Sequence, residues 1–366
     1  MESTNHTTKP QLPYDDEQLA FEIRRALLDE TAAPDAGEAF AEFKRRNSHM
    51  SRRLRLAVSL TAAIAAACIA TLIIIRSTTS GAPSAATSAV KALAAAGTIV
   101  YEAQPATDSR ITMNTGNGEE IKVGSSEARE AGIDVNSEGE IIITDHTPAS
   151  ESHEIETLTL TIPQGKLAKL MLDDGTTVWL SAYSRLIFPQ HFAPAMPREV
   201  ILYGEAYFKV AHDEARPFTV KAGSISTHVL GTQFTIRNFD GEQPQVTLIE
   251  GKVEVSAGSD RNITLSPDQT AWLDGNGTLN REAADMDVAT SWMSGNFYYD
   301  GQTLKHIMTD IGRWYNMSVV FENSALIGTQ LHFNACRNWS IKQVLEQLQL
   351  ICTAKFVIKD NVLIVK

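Results

Sequence analysis

Residues 158–180 read LTLTIPQGKLAKLMLDDGTTVWL. Apolar and polar residues alternate through LTLTI, break at Pro163-Gln164-Gly165, resume in LAKLML, and resume again in TTVWL after Asp173-Asp174-Gly175. Alternation of period two marks a half-buried strand, and Asp-Gly between two such runs is the strongest short-range hairpin signal. Asp173 and Asp174 also form a pair of adjacent carboxylates, but with Gly175 behind them they read as turn residues first. The pattern continues through SRLIFP, REVILYG, EAYFKVA, RPFTVKA, ISTHVLGTQFTIRNF, QVTLIE, KVEVSAG, NITLS and TAWLD. Strands recur at the short spacing of a sandwich or barrel, with no helical stretch between them, so residues 158–285 are expected to form an all-β unit.

On the C-terminal side, after Asp285, the periodicity changes. NFYYDG is a short strand, and QTLKHIMTDIGRWYN then sets Leu304, Ile307, Met308 and Ile311 at helical spacing. MSVVFEN and QLHFNA are strands. SIKQVLEQLQLIC is a second helix, with Ser340 placed as N-cap and Ile341, Val344, Leu345 and Leu348 on one face. AKFVIK, Asp360-Asn361 and VLIVK close a hairpin. The expected order over residues 286–366 is β-α-β-β-α-β-β, an α+β domain. On the N-terminal side, TIVYEA, RITMNT, EEIKVG and EIIIT are separated by Gly and Asn turns, so residues 77–157 read as a small-residue linker followed by β-hairpins.

Further upstream, Leu56–Ile75 reads LAVSLTAAIAAACIATLIII, without one charged residue. At 1.5 Å per residue about 20 residues cross roughly 30 Å of hydrocarbon, so residues 54–76 are expected to be one transmembrane helix. Lys44, Arg45, Arg46, Arg52, Arg53 and Arg55 crowd its N-terminal side, against Arg76 and then Lys91 on the other. Basic residues stay cytoplasmic, which puts residues 1–53 inside and the remainder outside. Within 1–53, Leu19, Ile23 and Leu27 share one helical face, and Phe40 and Phe43 another on GEAFAEFKRRN. So short a pair of helices cannot bury a core alone. It is either a solvated tail or a docking segment that folds on a cytoplasmic partner through those five anchors. The chain as a whole is expected to be a multidomain membrane protein.

The chain carries a net charge of −12, and residues 1–76 are balanced, so the external part holds all of the excess acid. That argues against nucleic acid as a direct partner. Of three cysteines, Cys68 lies in the apolar stretch, and Cys336 and Cys352 lie outside, where pairing is chemically open but two thiols make no framework. No cysteine spacing suggests a metal, and His228 and His332 sit in strand patterns that suit surface or packed residues better than ligands. No cofactor is expected. The chain has no G-x-S-x-G and no H-E-x-x-H, which disfavours a hydrolase.

IPQGKLAKLMLDDGTTVWLSAYSRLIFP, REVILYGEAYFKVAHDEARPFTVKA, VLGTQFTI and VTLIEGKVEV, in that order, resemble the FecR family of transmembrane anti-sigma regulators. Residues 296–366 resemble the C-terminal domain of the same family, which is similar to the short N-terminal domain of secretins and TonB-dependent receptors. The cytoplasmic fifty residues match the family only loosely. The resemblance implies an inner-membrane relay. A TonB-dependent outer-membrane receptor would present its periplasmic signalling domain to the C-terminal domain. The cytoplasmic segment would then release or hand over an extracytoplasmic-function sigma factor, controlling transcription of uptake genes for iron chelates or glycans. An alternative is a membrane-anchored periplasmic scaffold without a sigma-factor partner; the inside segment discriminates the two.

The resemblance also draws attention to Gly231-Thr232, since some members self-cleave at a Gly–Thr bond in this LGTxF strand. Thr232 would attack the preceding carbonyl, turning amide into ester before hydrolysis, and Gly231 would offer the least hindrance. Read without the family, Gly231 is a bulge in a long strand and Thr232 an ordinary strand residue.

Overall fold

The computed structural model describes residues 97–104, 109–116, 118–143, 157–194, 197–258 and 261–366. Leu19, Ile23, Leu27, Phe40, Phe43 and the apolar stretch 56–75 lie outside them. Among the described residues no helix is long and apolar enough to cross a membrane.

The first strands are β1 (Thr98–Tyr101), β2 (Thr112–Asn114), β3 (Glu120–Lys122), β4 (Ile133–Val135), β5 (Glu140–Ile143), β6 (Thr157–Thr161), β7 (Ala168–Met171), β8 (Thr177–Leu180) and β9 (Arg185–Pro189). Helix α1 (Ser126–Glu130), capped by the Ser125 side chain on Ala128 N–H, sits between β3 and β4. There follow β10 (Arg198–Lys209), β11 (Phe218–Ala222), β12 (Ile225–Val229), β13 (Gln233–Asn238), β14 (Gln245–Glu250), β15 (Val253–Ala257), β16 (Arg261–Leu265), β17 (Gln269–Leu273) and β18 (Leu279–Ala283).

These strands make two sheets. One runs β3-β2-β6-β9-β10-β11-β12-β15-β16. The other runs β4-β5-β7-β8-β10-β13-β14-β17-β18. Strand β10 belongs to both. Its first half pairs with β9 and β11, its second half with β8 and β13. The two runs REVILYG and EAYFKVA are thus one strand, turned from sheet to sheet at Gly204. There φ is +98° and an added Cβ would lie 2.5 Å from Ser184 Oγ, so only glycine fits. Inward residues of both sheets form one core, in which Leu160, Leu170, Leu202, Phe208, Phe218, Phe234 and Val255 are fully buried.

The Asp173-Asp174-Gly175 turn joins β7 to β8, with Gly175 at φ +82°. Its carboxylates have structural partners. Asp173 accepts Phe192 N–H at 2.9 Å, and Asp174 pairs at 2.9 Å with Arg198, a guanidinium only 1% exposed.

The last part of the chain holds α2 (Met286–Thr290), β19 (Asn296–Thr303), α3 (Leu304–Tyr315), β20 (Ser318–Phe321), β21 (Gln330–Cys336), α4 (Ile341–Ile351), β22 (Phe356–Lys359) and β23 (Val362–Val365). From β19 onward the order is that expected from periodicity. Leu304, Ile307, Met308 and Ile311 are fully buried, as are Val344 and Leu348, and Ser340 heads a capping box with Gln343. Cys336 and Cys352 carry free thiols.

Other assignments differ as well. TIVYEA does not form a hairpin with its sequence neighbours. Strand β1 pairs antiparallel with β20, giving a four-stranded sheet β1-β20-β23-β22. Its alternation is local, but the partner that accepts it lies more than two hundred residues downstream. RITMNT and EEIKVG do form the expected hairpin, β2 with β3. ISTHVLGTQFTIRNF, read as one long strand, is two: β12 in the first sheet and β13 in the second.

Candidate functional site

The break between β12 and β13 contains Gly231-Thr232. At Gly231 an added Cβ would lie 2.5 Å from His212 Nδ1 and 2.8 Å from His212 Cα, so the close pass of residues 210–213 requires glycine. Two backbone bonds tie the passing segment here, Val210 N to Thr232 O at 3.0 Å and Asp213 N to Leu230 O at 2.8 Å. Gly231 is therefore a corner between sheets rather than a bulge within a strand. Thr232 is buried, and its hydroxyl donates to Lys252 O at 3.0 Å. A backbone carbonyl is a weak base, so in this arrangement it orients the hydroxyl without activating it.

A second cluster, which no local sequence pattern marks, lies where the β-domain meets α3. Arg237, near the end of β13, donates from Nη2 to Asp310 of α3 at 2.6 Å and from Nε to Glu242 at 2.7 Å, and reaches Glu205 at 3.4 Å. Arg313, one turn beyond Asp310, donates to Asp310 and to Glu242, each at 2.6 Å. Tyr299 donates its hydroxyl to the other Asp310 oxygen at 3.1 Å. The Phe239 ring supports both cations, with Arg313 at 3.7 Å and Arg237 at 4.9 Å from its centroid. Burial alone would raise the Asp310 carboxyl. Arg237, with His306 and Arg313, outweighs that and holds it well below the usual carboxylate range. Glu242 is likewise lowered, because Arg237 and Arg313 overcome its burial. The cluster is a buried ionic clamp between the two domains.

Strand β1 enters the same junction. The Tyr101 ring packs on Gly312 of α3 and lies 5.7 Å from the Arg313 guanidinium. Burial, with Tyr101 beside it, raises the Tyr183 phenol of the β-domain above its ordinary value. Beyond the strand, Ala103 N donates to Ser318 Oγ at 2.9 Å and Asn316 Nδ2 to Gln104 O at 3.3 Å.

At the far side of the four-stranded sheet, β22 pairs, among the described residues, only with β23. Val357 and Ile358 on this edge are 42% and 45% exposed, and Leu350 and Ile351 at the end of α4 are 77% and 46% exposed. His228 is half-buried between Thr219 and Ser256, and desolvation lowers its pKa. His332 is exposed beside Asp300. Among the described residues no group of three or more His, Cys, Asp or Glu is placed to hold a metal.

Comparison with known proteins bears on the two folded parts. Two crystal structures of a candidate anti-sigma factor from Parabacteroides distasonis ATCC 8503, at 1.65 and 2.50 Å resolution, share this fold. Each aligns with a TM-score of 0.53 at 24% identity, over 57% of this chain and 98% of its own. Among curated proteins none matches the chain. Residues 158–254, from β6 into β15, match the model of the FecR protein family, and residues 296–365, from β19 to β23, match that of the FecR C-terminal domain. Both modules of the FecR family are thus present in this chain, in this order.

Proposed function

We propose that this protein is a single-pass inner-membrane anti-sigma factor, which relays a signal from a TonB-dependent outer-membrane receptor to an extracytoplasmic-function sigma factor. The observation that carries the proposal is the pairing of both FecR modules with an upstream apolar stretch, 56–75, whose basic flank is one-sided. The fold shared with a candidate anti-sigma factor supports the same role. On this reading the β-domain and the C-terminal domain are periplasmic, and residues 1–53 retain the sigma factor through Leu19, Ile23, Leu27, Phe40 and Phe43. The apolar open edge at β22 suits a receptor domain that adds a strand or packs beside one. The protein has no enzymatic role in this scheme; any scission at Gly231-Thr232 would be a single self-processing event.

The test is a pull-down with residues 1–53 as bait. A sigma factor should be retained. Phe40→Asp and Leu27→Asp, each placing a charge where an apolar anchor is buried, should weaken retention by about 2–4 kcal/mol. Retention of no sigma factor by the unaltered segment would leave a membrane-anchored scaffold as the better description.

A further inference from the structure

Strand β1 is the described segment nearest to the apolar stretch 56–75, and it is held by the C-terminal domain instead of by the β-domain that follows it in sequence. Its hold is short. Thr98 pairs with Phe321, Ile99 with Val320, and after an irregularity Tyr101 with Val319. Thr98 and Ile99 are exposed, and only Val100 and Tyr101 turn side chains toward cover. What the strand covers is wholly buried: all four residues of β20 are, with Val320 at 0% exposure. Gly97 lies over Val320, where an added Cβ would come within 2.9 Å of Cγ1 and 2.6 Å of Phe321 O. Tyr101 then sits on Gly312 beside Arg313, a member of the clamp between the domains. The strand is held by three ladder pairs and two flanking bonds over a buried surface, a short attachment of the kind that can open without unfolding its host.

We propose that β1 is a releasable strap: its docking on β20 sets one signalling state, and its withdrawal sets the other. Deepening the function proposed above, this inference rests on residues 56–75 crossing the membrane and on residues 1–53 holding a sigma factor. Displacement at the C-terminal domain would reach the membrane directly through β1, bypassing the β-domain.

The test uses the full-length protein in cells, with a reporter for the sigma factor retained by residues 1–53. Gly97→Val and Tyr101→Ala should each loosen the strap. A Val320→Cys substitution reports release directly, as labelling by a membrane-impermeant maleimide, and does not depend on the sigma factor. Both loosened variants should label at Val320→Cys where the unloosened chain does not, and both should shift reporter output by about tenfold. A paired Ile99→Cys and Val320→Cys substitution, oxidised, should return Tyr101→Ala to the unaltered level, and dithiothreitol should undo that return. The single cysteine variants control for Cys336 and Cys352. Loosened variants that label fully yet leave the reporter unchanged would overturn the strap. Labelling of Val320→Cys in the unloosened chain as fast as in Gly97→Val would also overturn it. If residues 1–53 hold no sigma factor, the functional reading fails separately, and labelling still decides whether the strap docks.

Discussion

Replacing Arg237 with Met keeps much of the apolar stem and removes the charge. The carboxylates of Asp310, Glu242 and Glu205 all lose a partner at once, at 2.6, 2.7 and 3.4 Å. Removing one member of a buried ion pair costs roughly 3–5 kcal/mol, most of it from the charge left behind. Arg313 still reaches Asp310 and Glu242, so the expected loss is near the lower end, about 3 kcal/mol. With a urea slope of about 2–3 kcal/mol/M, the midpoint for residues 97–366 should fall by about 1–1.5 M. Acid sensitivity supplies an independent check. Asp310 and Glu242 both titrate lower in the folded chain than in the unfolded one. The stability they contribute is therefore present above about pH 4 and is lost as pH falls through their folded values. Arg237→Met removes a main cause of both shifts, so its unfolding free energy should fall less steeply between about pH 4 and pH 2. Adding Asp310→Leu to Arg237→Met should cost at least about 1 kcal/mol less than the two single losses summed. A midpoint change worth less than about 0.5 kcal/mol, with the acid limb unchanged, would refute the clamp as a buried ionic unit.

If the Gly231–Thr232 bond breaks spontaneously, purified protein should yield a new N-terminus at Thr232 without added protease. Thr232→Ser should retain the scission, while Thr232→Ala and Thr232→Val abolish it; an intact mass after long incubation of the unaltered chain would reduce Gly231 to a corner glycine. The halves should stay together after the cut, because β10 with β13, β12 with β15 and β1 with β20 all bridge it. Leu350→Asp combined with Ile358→Asp charges one exposed position at the end of α4 and one on the open β22 edge, so it should abolish capture of a receptor signalling domain while leaving the thermal midpoint within a few degrees. Undiminished capture would move the receptor contact elsewhere.

Local signals carried much of the architecture. Period-two alternation and the Asp-Gly turn mark β7 and β8, and helical spacing with Ser340 marks α3 and α4, because each element's pattern is written within its own residues. What escaped were relations between distant residues. TIVYEA shows a strand but not its partner. Gly204 and Gly231 look alike as interruptions, yet one bends a continuous strand and the other divides two; Ser184 and His212, which impose those outcomes, approach only in three dimensions. Helix α1 is a single capped turn of five residues, too short for periodicity to reveal. Arg237 and Asp310 are 73 positions apart and resemble any surface charges until the domains meet. The anchors Leu19, Ile23, Leu27, Phe40 and Phe43 rest on sequence pattern alone.

The strand shared by both sheets sets how the β-domain opens. Amide exchange in an ordinary sandwich can proceed by parting one sheet's edge while the other stays closed. Here the amides of β10 are bonded into one sheet up to Tyr203 and into the other from Gly204 onward. Exposing that strand means parting both sheets together, so its protons should exchange only through global unfolding and rank among the slowest in the chain. Partial openings would be confined to the outer strands β3, β4, β16 and β18, leaving the centre a stiff body that passes displacement on with little give.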